Sequence, residues 1–195
     1  CGMNNVSDGQ APADLRERLI LSGLSEISGY GIRDFSLRRV AQRAEVSCAA
    51  PYRHFRSKEE LILAVFSYID DAWRGFAAAV RSAYSDPAEL TVALCLSNIR
   101  FWYANSSFRT ALISGFGDMG RGVDSAFSSD LLDSVGRYAA SAGKSREETS
   151  ILFYSARCVV YGTVLMLDTA AEPEGLISAA EDMLRRTFGK EKTNA

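Results

Sequence analysis

Ser36-Leu37-Arg38-Arg39-Val40-Ala41-Gln42-Arg43-Ala44-Glu45-Val46-Ser47-Cys48-Ala49-Ala50-Pro51-Tyr52-Arg53-His54-Phe55 is the stretch on which the fold turns. Leu37, Val40, Ala41 and Ala44 recur at i, i+3, i+4 and i+7, the spacing of one helix face. Arg38, Arg39, Gln42 and Arg43 fall on the other side. Ser36 stands where a side-chain oxygen accepts an orphan backbone N–H, so it is expected to cap this helix. After a short turn at Glu45-Val46, Ser47 is expected to cap a second helix running from Cys48 to Phe55. Two short helices joined by a tight turn, the second basic, make a helix-turn-helix. In that motif the second helix enters the major groove of duplex DNA by its N-terminal end, whose free N–H groups and partial positive charge also suit phosphate.

Charge points the same way. Seven bases and two acids lie between Arg33 and Lys58, a net +5, while the rest of the chain carries −7. A basic block on an otherwise acidic chain fits a phosphate footprint, although an ordinary solvated face carries similar charge.

Working outward, every strong pattern is helical. A polar tail, residues 1–12, precedes a helix from Asp14 to Ser28 with Leu15, Leu19, Ile20, Leu24 and Ile27 on its apolar face, stopped by Gly29-Tyr30-Gly31. Ser57 with Glu60 forms a capping box for a long fourth helix through Leu61, Ile62, Val65, Phe66, Ile69, Trp73, Phe76 and Val80. Further helices are expected from Asp86-Pro87 to Asn105, from Ser107 to Ile113, from Asp124 to Ala142, from Ser145 to Asp168 and from Pro173 to Phe188. The fold class is all-α, about nine helices. It divides into a three-helix DNA-binding domain (13–57), a helical bundle (58–190) and a short tail (191–195).

The run from Leu19 to Phe66 resembles the tetracycline-repressor (TetR) family. Gly29-Tyr30-Gly31, Ser36-Leu37-Arg38-Arg39-Val40-Ala41, Val46-Ser47 and Ala50-Pro51-Tyr52-Arg53-His54-Phe55-Arg56-Ser57-Lys58-Glu59-Glu60-Leu61 carry the likeness, over about a quarter of the chain. The resemblance implies that Tyr52, His54 and Lys58 grip phosphates, and that Ser36 and Ser47 cap helices whose N–H groups face the DNA backbone. It places Arg38, Cys48, Ala49, Ala50 and Arg53 at base edges, where Arg can fork onto guanine and Ala can meet a thymine methyl. Arg39 and Arg43 read as solvated face. Two departures stand out: Glu45 occupies a turn position where relatives often carry glycine, and Pro51 falls in the fourth position of the expected recognition helix.

The later helices are apolar nearly all round and so must be covered on more than one side. Ile151, Ser155, Cys158, Gly162 and Leu165, with Leu176, Ala180, Met183 and Leu184 on the last helix, are the expected interface. The resemblance implies that these two helices pair with their mates in a homodimer. Trp73, Phe101, Trp102, Tyr103, Phe108, Met119, Tyr154 and Tyr161 are candidate liners of an effector pocket. The same residues also read as plain core aromatics.

The function expected is a ligand-responsive transcriptional regulator, a repressor released from a palindromic double-stranded operator by a small, largely apolar effector. Enzyme chemistry is not expected, because His54 is the sole histidine and the carboxylates are scattered. Cys1, Cys48, Cys95 and Cys158 fit no metal-ligand spacing, so neither a metal nor a cofactor is expected, and Cys95 and Cys158 read as buried or partly buried thiols. Gly115-Phe116-Gly117-Asp118-Met119-Gly120 has the spacing of a dinucleotide fingerprint but lacks the strand that the fingerprint needs. No signal-peptide layout and no apolar run of about 18 residues occur, so a cytoplasmic protein without a membrane partner is expected.

Overall fold

The structure, a computed structural model, describes residues 14–110, 126–167 and 169–189. The expected tails, Met119 and the glycine-rich stretch 115–120 lie outside these residues. All regular elements among the described residues are helical: α1 (Leu15–Tyr30), α2 (Leu37–Arg43), α3 (Pro51–His54), α4 (Lys58–Ala83), α5 (Pro87–Ala104), α6 (residues 106–110), α7 (Ala126–Ser141), α8 (Arg146–Met166) and α9 (Pro173–Phe188).

Local chemistry sets most boundaries. Ser36 accepts the Arg39 N–H, Ser57 the Glu60 N–H, and Asp86 the N–H groups of Ala88 and Glu89. Ser145 and Glu148 form a full capping box on α8. At α4 the box is displaced by one residue, because the Glu60 carboxylate reaches back to the Arg56 N–H at 2.6 Å. Helix α1 runs two residues past the expected Ser28. Gly29 stays helical, and only Gly31, at φ 76°, takes the left-handed conformation that ends it. The first residue of α7 is capped from another helix, its Ala126 N–H donating to Asp70 of α4 at 3.1 Å. Burial pushes the Asp70 carboxyl above its usual range, against that hydrogen bond, which pulls it down.

Helix α5 is the axis of the bundle, packed by α4, α7, α8 and α9. It buries Leu90, Val92, Leu94, Cys95, Leu96, Ile99, Phe101 and Trp102. Cys95 is sealed in, and burial pushes its thiol up to about 12. Cys158, expected to be at least partly buried, is exposed. Helix α8 is long and apolar enough to cross a membrane by length and composition alone, although the sequence has no uninterrupted apolar run of that size. It packs on α5, α7 and α9, and an apolar outer face supplies the hydropathy.

Helix α4 is shared. Its first half seats α1, its second half meets α5 and α7, and one continuous apolar core runs from Leu19 to Phe188. The α1–α4 seat is tight because residue 23 is glycine: a Cβ there would lie 3.0 Å from Val65 Cγ2 and 3.6 Å from Leu61 Cδ1. Gly23→Val is therefore expected to lower stability by about 1–3 kcal/mol through overpacking. Thermal unfolding checks this, and an unchanged midpoint would contradict the seat.

Candidate nucleic-acid interface and effector side

The reading head is three helices held by few contacts. The α1 stripe Leu19, Gly23, Glu26 and Ile27 is buried, which places one carboxylate in an apolar face. Glu26 Oε1 accepts from Arg39 Nε at 2.6 Å and from the Ser36 N–H at 3.2 Å. Arg39 also bonds the Asp34 carbonyl and lies 4.3 Å over the Tyr30 ring. Its guanidinium is held more firmly protonated than usual, chiefly by the hydrogen bond to Glu26. Arg39 is thus not the solvated face expected of it; it pins α2 to α1. From α1, Arg18 donates to the Ala44 carbonyl at the far end of α2.

The turn after α2 is a Schellman ending: Val46 N–H donates to the Ala41 carbonyl at 3.0 Å, and Glu45 N–H to that of Gln42 at 3.1 Å. This geometry requires a left-handed residue, and Glu45 sits there at φ 56°.

The recognition element is shorter than the expected Cys48 to Phe55. Pro51 has no N–H to return to the Ser47 carbonyl, so the Ala50 N–H takes it at 2.9 Å as an i→i+3 bond. Residues 48–50 form a turn, and the α-helix covers only Pro51–His54, without a side-chain cap. Pro51 therefore stands in the first helical turn, where its missing donor forfeits nothing. Ser47 does not cap α3.

Exposure sorts the expected contact residues. Arg38, Ser47, Cys48, Ala49, Tyr52 and Arg53 are exposed, while Ser36, His54 and Lys58 are half-buried. Ala50 is not available: it is only 8% exposed, turned inward by the bend that Pro51 imposes, and is withdrawn as a base contact. Lys58 donates to the Arg33 carbonyl at 3.3 Å, which fastens the start of α4 to the α1–α2 loop. Sequence reasoning missed the Glu26 pin. The signal was present, since Glu26 lies at i+7 from Leu19, on the buried stripe.

On the bundle side, Trp73, Phe101, Trp102 and Phe108 do come together. Phe101 lies 5.6 to 6.0 Å from the rings of Trp73, Phe76, Trp102 and Phe108. Phe127 bridges Trp73, at 5.6 Å, to Tyr161, at 6.3 Å. Asp130 of α7 accepts from Trp73 Nε1 at 3.0 Å and from Arg81 at 2.7 Å, locking α4 to α7. Tyr103 and Tyr154 do not join this cluster: both are exposed, Tyr154 at 61% on the outer face of α8.

That outer face also presents Ile151, Cys158, Leu165 and Met166, with Ser155 and Gly162 half-buried; α9 adds Met183 and the half-buried Leu176. Ala180 and Leu184 are withdrawn from the expected interface. They lie with Ile177 and Phe188 on the buried face of α9, inside the protomer core.

Residues 19–65 match the family model of bacterial regulatory proteins, tetR family. No curated protein matches the chain. Among solved structures, it is similar to a TetR family transcription regulator from Marinobacter aquaeolei VT8. The TM-score is 0.73 at 17% identity, over 91% of this chain and 96% of that one. A transcriptional regulator from Rhodococcus sp. Rha1 gives TM-score 0.67 at 20% identity, over 88% and 95%. The regulator FadR from Bacillus subtilis, in complex with stearoyl-CoA, gives 0.65 at 10% identity, over 89% and 97%. At such identities these likenesses speak for the fold alone.

The left-handed Glu45 makes a direct prediction. A non-glycine residue there costs about 1 kcal/mol, so Glu45→Gly is expected to stabilise the protein by about 0.5–1 kcal/mol. Urea unfolding measures it, and a loss of stability would contradict the Schellman geometry.

Proposed function

The chain is a transcriptional regulator of the tetR family, and we propose that it works as a homodimeric repressor which a small, largely apolar effector releases from a palindromic operator. The observation that carries this reading is the exposed set Arg38, Ser47, Cys48, Ala49, Tyr52 and Arg53 at α2 and the start of α3, within the basic block. Arg38 and Arg53 supply forked donors for guanine edges, while Tyr52, His54 and Lys58 supply phosphate contacts. Residues 13–57 serve as the reading head, and 58–190 as the effector and dimer part.

A four-residue recognition helix buries too little to bind tightly by itself, so two copies reading two half-sites are required. The outer face of α8 and α9 supports the pairing. Ile151, Tyr154, Leu165, Met166 and Met183 are each at least half exposed, an apolar surface that a second copy would cover. Ile151→Glu with Leu165→Glu is expected to give a folded monomer in size-exclusion chromatography; a dimer that persists would place the interface elsewhere.

Release needs a path from bundle to head. Helix α4 is one route, continuous from the aromatic cluster to the Ser57 cap. Helix α6 is a second: Ser28 of α1 donates to the Ser107 carbonyl at 2.9 Å, and Phe108 meets Tyr68 of α4 edge-on at 6.1 Å. An effector that moves α4 or α6 changes the spacing of the paired heads, at a coupling of about 1–3 kcal/mol.

Mobility shifts with DNA from upstream of its own gene test the reading. Arg53→Ala is expected to cost about 1–3 kcal/mol and to relax preference at one base position. Lys58→Ala is expected to weaken all sequences alike and to reduce the salt slope by about 1. The same loss from both variants on every sequence would contradict the division of roles.

A further inference from the structure

Two buried side-chain atoms among the described residues have no hydrogen-bond partner, Glu26 Oε2 in the head and Asn98 Nδ2 in the bundle. Asn98 is the more informative. It lies on α5 at 0% exposure, in the stripe Thr91, Leu94, Cys95, Asn98 and Trp102. Three other buried hydroxyls of the bundle are satisfied within their own helices. Thr91 donates to the Pro87 carbonyl at 2.8 Å, Ser134 to Leu131 at 3.1 Å and Thr163 to Val159 at 2.7 Å. Asn98 does not.

The orientation of its amide follows from its partner. Trp102 Nε1 only donates, and it lies 2.9 Å from Asn98 Oδ1. The oxygen is thereby committed to the indole, and the NH2 group is the end left over. A buried donor without an acceptor is costly, and a half-satisfied polar network is worse than an apolar one. What the site lacks is therefore an acceptor. Its surroundings tell the rest of the chemistry. Trp102 stacks edge-on against Phe101 at 5.6 Å, and through Phe101 the site joins the Trp73 and Phe108 rings. Arg109, itself buried, donates to the Trp102 carbonyl at 3.2 Å, so a cation lies at the same residue.

We propose that Asn98 is the polar anchor of the effector site, its NH2 group donating to a carbonyl or carboxylate oxygen of a ligand whose apolar body packs on the Trp73–Phe101–Phe108 cluster. This rests on the effector-release reading above and narrows it: the ligand is an acceptor-bearing apolar molecule, not a hydrocarbon or a cation.

Shape-matched pairs test it: acetylnaphthalene against isopropylnaphthalene, and acetophenone against cumene, titrated calorimetrically into the dimer. The wild-type protein is expected to bind each ketone about tenfold more tightly than its hydrocarbon. Asn98→Leu is expected to abolish that preference by weakening the ketone alone, with operator binding in the absence of ligand unchanged. If Asn98→Leu does not fold, the double variant Asn98→Leu with Trp102→Phe removes both partners together and carries the same expectation. A preference that survives either variant, or a wild-type protein that binds both members of a pair equally, overturns the anchor while leaving the effector reading in place. A wild-type protein that binds no probe of either pair overturns both.

Discussion

Everything the reading head does depends on the seat of α1 against the first half of α4. Helices α2 and α3 have seven and four residues, far below the length at which a helix holds itself together in water. Their order is borrowed. Leu61 and Val65 of α4 close on Gly23, where the missing side chain lets the two helices approach. Helix α1 then carries α2 on the Glu26 carboxylate and Arg18. The same α4, 26 residues in all, runs from this seat into the bundle.

The basic block divides its labour accordingly. Arg39 is used up internally by Glu26, Asp34 and Tyr30, and Lys58 spends one donor on the Arg33 carbonyl. Arg38 and Arg53 face outward, as do Arg33, Arg43 and Arg56. Net charge alone could not separate these roles, since a buried carboxylate opposite one arginine decides them. The bundle repeats the logic with other chemistry. Asp130 of α7 receives Trp73 and Arg81 of α4, so the α4 side of the aromatic cluster is tied to α7. A ligand entering beside that cluster would press on the element that also sets the head.

Much of this was legible in the sequence. Ser36, Ser57, Asp86-Pro87 and Ser145 announce their helices because a cap is a local event, decided within four residues. The all-helical fold and the reading head follow from the same periodicity. The misses share a cause, which is that they depend on which side of a helix meets which neighbour. Ala180 and Leu184 are apolar like Met183, but only packing shows that they face inward while Met183 faces out. Tyr103 follows two buried aromatics and points away from them. Ala50 is turned in because Pro51, lacking an N–H, pulls the chain into an i→i+3 turn before the helix starts. Glu45 is the reverse case: an acid in a turn where the family resemblance expects glycine pointed to the left-handed backbone that the structure shows.

Two reading heads on a symmetric pair, each set by its own α4, form the central claim. Sedimentation of the protein bound to its operator, combined with hydroxyl-radical footprinting of the same complex, tests it most directly. Two chains per duplex are expected, with two protected half-sites whose centres lie one helical turn, about 34–36 Å, or a multiple of it apart. One chain per duplex, or protection confined to a single unrepeated site, would contradict it.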